Sequence, residues 1–80
     1  MLERLLNLGP TSAAWLREAG VATPEDLARL GSVEAFLLVA ERQPGTTLHL
    51  LYALEGALQD VRWDRLPAEV RADLRRQVGR

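Results

Sequence analysis

Leucine recurs along the chain at spacings of three and four, interrupted at intervals by Gly, Pro and small polar residues. That rhythm is the period of an amphipathic α-helix, whose buried side returns every 3.6 residues. No stretch alternates apolar and polar positions with β-branched side chains, the mark of a half-buried strand. Pro10 suits a first helical turn, where its missing N–H is not needed, and opens a helix that runs to Ala19. Gly20 is its expected stop, and Trp15, Leu16 and Ala19 face inward. Thr23-Pro24-Glu25-Asp26 is a capped, acidic start for a second, short helix that ends near Leu30-Gly31 and points Leu27 and Leu30 at the core. Ser32 caps a third helix, Val33 to Arg42, whose inward stripe is Val33, Phe36, Leu37 and Ala40; Leu38 and Val39 lie outside it. After Pro44-Gly45, Thr47 caps a fourth, Leu48 to Gln59, with Leu51, Leu54 and Leu58 widened by Leu50 and Ala57. A helix apolar around so much of its girth belongs at the centre. Gly56 in its middle costs about 1 kcal/mol relative to Ala, so close approach by another helix is its expected use. Leu66-Pro67 opens a fifth helix to Val78, striped by Leu66, Val70, Leu74 and Val78. The pattern predicts one compact all-α domain of about five short helices.

Length and composition narrow the class. A chain of 80 residues makes one domain and buries roughly 60% of its unfolded surface, which leaves little stability in reserve. Hydrophobic residues at 48% and charged residues at 26% exclude a disordered chain. With no cysteine, neither a disulfide nor a thiolate metal site can staple the fold. No apolar run approaches the ~20 residues that span a bilayer, and Met1-Leu2-Glu3-Arg4 does not open a secretory signal. A cytoplasmic protein without a membrane partner is the expectation. All ten basic residues are arginine and the net charge is −1, without the basic excess of a free-standing nucleic-acid binder.

Few residues offer chemistry. His49 is the single histidine and has no co-ligand at metal spacing, so no metal or other cofactor is expected. No phosphate-binding glycine motif is present, Ser12 and Ser32 read as helix-start residues, and no catalytic set emerges. Glu55 falls close to the apolar face of the fourth helix. A carboxylate there acts as an acid or base, or it accepts hydrogen bonds from a loop or from an arginine such as Arg62. The lack of a second catalytic group at useful spacing favours the structural role. Trp63 reads as an interface anchor or as a lid on the core, the latter favoured by the small size of the domain.

Leu5 to Leu16, with Asn7-Leu8-Gly9-Pro10 at the turn, resembles the hairpin and second helix of a helix-hairpin-helix motif. In that motif backbone N–H groups and a helix N-terminus meet a DNA phosphate. Gly9 stands at the second glycine, Asn7 replaces the first, and Thr11 takes a place often held by Lys. The resemblance implies a phosphate-binding hairpin of Asn7, Gly9, Thr11 and Ser12 in a helix-hairpin-helix-like N-terminal half. The stretch through Gly20-Val21-Ala22-Thr23-Pro24-Glu25-Asp26-Leu27 is also similar to the C-terminal domain of the RNA polymerase α subunit. Nearly the whole chain resembles the C-terminal domain of TfoX-type (Sxy-type) competence regulators. That resemblance rests on Leu6 to Ser12, Gly20 to Leu27, Gly31-Ser32-Val33-Glu34-Ala35, Leu50 to Leu58, and Trp63 with Leu66-Pro67. It implies a helical domain tied to regulation of DNA uptake, commonly carried behind a separate N-terminal domain; alone, these residues are expected to act free-standing.

Two functions follow. One is a non-enzymatic protein-interaction module in transcription or competence control. There Leu38, Val39, Leu50 and Trp63 form the expected interface, left over after one core is filled and suited to a protein partner or a homodimer. The other is sequence-independent nucleic-acid binding at the Asn7–Ser12 hairpin. Against it, the stretch from Leu2 to Gly31 carries three arginines and four acids, without the field that steers DNA.

Overall fold

Thr23 starts the longest helix, and its hydroxyl explains how. The Oγ1 accepts from the Asp26 N–H at 3.0 Å, while the Asp26 carboxylate accepts from the N–H groups of Thr23 and Ala22 at 3.3 and 3.2 Å. This reciprocal cap satisfies amides that the first turn leaves without partners; losing such a cap typically costs about 1 kcal/mol. In the computed structural model, which describes all 80 residues, the chain forms four α-helices: α1 (Pro10–Glu18), α2 (Pro24–Arg42), α3 (Leu48–Gln59) and α4 (Ala68–Val78). Single 3-10 turns at Leu2–Arg4 and Trp63–Arg65 precede α1 and α4. There is no strand.

The count is four rather than five because the expected second and third helices run together as α2. They meet at Gly31, whose φ of 84° and ψ of 167° lie in a region essentially open to glycine alone. A Cβ built on Gly31 would meet nothing within 4 Å. The glycine is therefore there for its backbone angles and not for space.

The kink also resets which side of α2 is buried. The buried positions beyond it are Ser32, Ala35, Phe36 and Val39, one residue earlier than the stripe expected from Val33, Phe36, Leu37 and Ala40. Leu37 is 39% exposed and Val39 is 0% exposed, the reverse of the sequence reading. A one-residue shift turns a helix by about 100°, and the polar Ser32 hid the true stripe.

The α3 helix is central, as its composition predicts: Leu50, Leu51, Ala53, Leu54, Gly56 and Ala57 are all buried. It packs chiefly against α2 and also touches the Trp63–Arg65 turn and α4. Leu2, Leu16, Leu27 and Phe36 complete the largest fully buried set around it. The radius of gyration is 11.2 Å, within the roughly 11–12 Å expected for one globule of this length. No helix is long and apolar enough to cross a membrane.

Candidate functional site

The turn before α1 points the polar side chain of Asn7 inward. Asn7 has φ +75°, a left-handed conformation that Asn tolerates better than most residues. Its Nδ2 donates to the Val61 carbonyl at 2.9 Å and lies 3.4 Å from that of Ala53, and its Oδ1 accepts from the Trp63 N–H at 3.1 Å. The side chain thus ties the hairpin to the loop after α3 and is not presented to a ligand. Gly56 makes the contact fit. A Cβ there would stand 2.4 Å from the Val61 oxygen and 2.5 Å from Asn7 Nδ2. The close neighbour is therefore this loop and side chain, not another helix.

Gly9, Pro10 and Thr11 are exposed and Ser12 is half-buried. Gly9 is the N-cap of α1 without a side-chain hydrogen bond, and the first turn carries no acid. Before the hairpin stands the single 3-10 turn Leu2–Arg4.

A second feature lies on the other side of the kink. Between the Gly31 bend of α2 and the length of α4 opens a cleft of about 480 Å³. Leu30, Val33, Val70 and Leu74 supply its apolar lining; Glu55, Glu69, Asp73 and Gln77 supply most of its polar lining. Glu69, Asp73 and Gln77 fall at i, i+4 and i+8, so they share one edge of α4. No arginine lines the cleft, although α4 carries Arg71, Arg75 and Arg76. Arg75 turns instead to donate to the Tyr52 hydroxyl at 3.0 Å, and Arg76 pairs with Asp73 at 3.0 Å. Glu69 is thus left on this edge of α4 without an ion pair.

Glu55 is half-buried at this cleft. Its Oε1 accepts from Ser32 Oγ at 2.6 Å and its Oε2 from the Gln59 side-chain amide. A hydroxyl donated to a carboxylate at that length is a charge-assisted bond, worth about 1.5–3 kcal/mol. It fastens the start of the second half of α2 to α3. Arg62, the partner suggested by the sequence, pairs with Asp64 at 3.3 Å instead.

The other expected residues scatter. Val39 and Leu50 are core residues, 0% and 6% exposed, and Leu38 is half-buried against the core. They offer no continuous outer face: the reset of α2 turns Val39 inward, and Leu50 is buried from α3. The large apolar side chains that are exposed are Met1, Leu6 and Leu37. Trp63 is half-buried and meets the His49 ring edge-on, with centroids 4.6 Å apart. No group of three His or acidic side chains gathers at metal-binding spacing. Sequence reasoning missed the cleft. Its one legible signal was the i, i+4, i+8 run of Glu69, Asp73 and Gln77.

Comparison with known proteins adds the family. The family model for the TfoX C-terminal domain matches residues 1–78. A crystal structure of an uncharacterized protein from Listeria monocytogenes, in a triclinic form, superposes with a TM-score of 0.89 at 39% identity, covering 92% of this chain and 84% of that one. A tetragonal-form structure of a Listeria monocytogenes protein of unknown function does so with a TM-score of 0.89 at 37% identity, covering 94% and 93%. No curated protein matches.

Proposed function

The chain belongs to the TfoX C-terminal domain family, and from that premise we propose that it is a non-catalytic module that binds a protein partner through the cleft between α2 and α4. The setting is the control of transcription or competence that the family resemblance implies. The observation that carries the reading is the cleft itself, an open surface in which apolar side chains lie beside carboxylates. Glu55 supports a binding role over a catalytic one, since both its oxygens are held by neutral donors of the fold. Val39 and Leu50, which would have supplied a self-association face, lie in the core. Their burial favours a different protein over a second copy as the partner.

The test is a photo-cross-linking residue at Gln77, on the cleft edge, compared with one at the exposed Glu18 of α1, in the source cells. A defined protein attached at Gln77 and not at Glu18 is the expected result. Equal labelling at both positions, or no protein adduct at Gln77, overturns the reading.

A second reading, nucleic-acid phosphate contact at the hairpin of Asn7, Gly9, Thr11 and Ser12, has one observation in its favour. The α1 N-terminus is exposed, uncapped by any side chain and free of acids, the condition in which first-turn amides meet an anion. Gly9→Asp separates the readings. Nothing lies within 4 Å of a Cβ on Gly9 and Asp is a good N-cap, so the variant folds while placing a negative charge where the phosphate would sit. Duplex binding at low salt that Gly9→Asp abolishes supports this second reading; duplex binding unchanged by it removes the hairpin from consideration.

A further inference from the structure

We infer that the α2–α4 cleft receives an amphipathic, basic segment of a partner protein, with Leu-like side chains set against Leu30, Val33, Val70 and Leu74 and Lys or Arg side chains set against Glu55, Glu69 and Asp73. This rests on the protein-binding reading and specifies the chemistry of the partner.

Charge is the first reason. Three carboxylates and no cation line the cleft. Asp73 has an internal partner in Arg76, whereas Glu55 and Glu69 enter none of the ion pairs in the molecule. Neither has a cationic partner within the molecule, although Glu55 accepts from Ser32 and Gln59. Of the arginines of α4, Arg75 is held away by Tyr52 and Arg76 is spent on Asp73, so neither reaches Glu55 or Glu69.

Burial is the second reason. An apolar segment laid over Leu30, Val33, Val70 and Leu74 would also strip water from the neighbouring carboxylates. Covering a charge without pairing it is strongly unfavourable. An occupant that gains from the apolar lining must therefore bring donors for the carboxylates. An acidic or purely apolar segment does not, and phosphate-bearing nucleic acid would be repelled.

Shape is the third. The cleft lies between two helices and is open to solvent on one side. That suits a segment lying across it, in the manner of an amphipathic helix in a groove, more than a small molecule enclosed on all sides.

The experiment titrates the isotope-labelled domain with three helical peptides followed by amide NMR. One combines Leu at i, i+3, i+4 spacing with Lys, one replaces every Lys by Glu, and one replaces every Lys by Gln. The Lys peptide is expected to shift amides around Gly31–Val33 and Glu69–Gln77, with affinity that weakens as salt rises. The double reversal Glu69→Lys with Asp73→Lys is expected to weaken it about tenfold, in line with rim charges acting through steering and screening. A control with the same change in net charge, Glu18→Lys with Glu41→Lys, places its cations in the last turns of α1 and α2, where helix dipoles favour them. It is expected to retain affinity within about twofold. Circular dichroism checks that both variants are folded.

Equal binding of the Glu or Gln peptide, shifts outside the cleft, or equal loss in the control variant overturns the inference. So does hexylamine binding as tightly as the peptide, which would assign the cleft to a small cation. If the peptides fail while Gln77 still cross-links a defined protein, the binding reading stands and only the basic partner is refuted.

Discussion

Asn7 is the residue whose role the fold changes most, and its substitution gives the sharpest prediction. Replacing it with Ala removes two well-formed hydrogen bonds, Nδ2 to the Val61 carbonyl at 2.9 Å and the Trp63 N–H to Oδ1 at 3.1 Å. The approach to Ala53 at 3.4 Å is too long to add much. At about 0.5–1.5 kcal/mol net for each bond, the loss is about 1–3 kcal/mol. Ala must also hold the φ of +75°, which adds about 1 kcal/mol. The expected destabilisation is therefore about 2–4 kcal/mol for Asn7→Ala. Gly at the same position loses the bonds but relieves the backbone, so Asn7→Gly falls about 1 kcal/mol short of that. Asn7→Asp keeps an acceptor for Trp63 but sets a carboxylate oxygen against the Val61 carbonyl, and it is expected to cost about as much as Ala. A domain of this length has about 4–12 kcal/mol in total, so any of the three is conspicuous. Urea unfolding followed by tryptophan fluorescence and far-UV circular dichroism measures it, with an unchanged m-value as the condition for reading midpoints as stability. Asn7→Ala and Asn7→Gly both within about 0.5 kcal/mol of the parent would refute the claim that this side chain fastens the hairpin to the loop.

Gly56→Ala should destabilise by about 2 kcal/mol or more, although Ala favours helix by about 1 kcal/mol, because the new Cβ meets the Val61 carbonyl at 2.4 Å; a raised urea midpoint would contradict the packing described. Val39→Ala should cost about 1.5–3 kcal/mol and Leu37→Ala less than about 0.5, given their exposures of 0% and 39%; the opposite order would mean that the phase of α2 is misassigned. Asp26 is held below its ordinary pKa, first by the Ala22 N–H, then by Arg29 and Thr23. A carboxylate depressed in the folded state binds fewer protons there than when unfolded, so its contribution is full above the ordinary value of about 3.9 and is lost as pH falls through the folded one. Stability should decline below about pH 4, less steeply in Asp26→Asn; parallel curves for the two proteins would exclude the cap as the source. Glu3, lowered to about 2 by backbone and N-terminal hydrogen bonds, adds to the same slope and remains in the Asp26→Asn protein.

Local rules determined much of this molecule. The helix starts at Pro10 and Thr23, the stop at Gly20, the break at Gly31, the apolar girth of Leu48–Gln59 and the fitness of Asn7 for positive φ are all decided within a turn or two of chain, where capping groups and backbone angles act. The family resemblance was likewise legible in short blocks spread over the chain. Tertiary structure decided what those local rules leave open. Whether Leu37 or Val39 is buried depends on how the kink at Gly31 rotates the second half of α2, and the wholly apolar stripe of the sequence is not the one that the kink turns inward. Glu55 found its partner in Ser32, 23 residues away, and Asn7 found Val61 and Trp63, 54 and 56 residues away. No periodicity encodes such pairings, because they form only when packed helices bring distant segments together. The acidic edge of α4 was present as a spacing, but it became part of a cleft only once the bend in α2 had left room beside it.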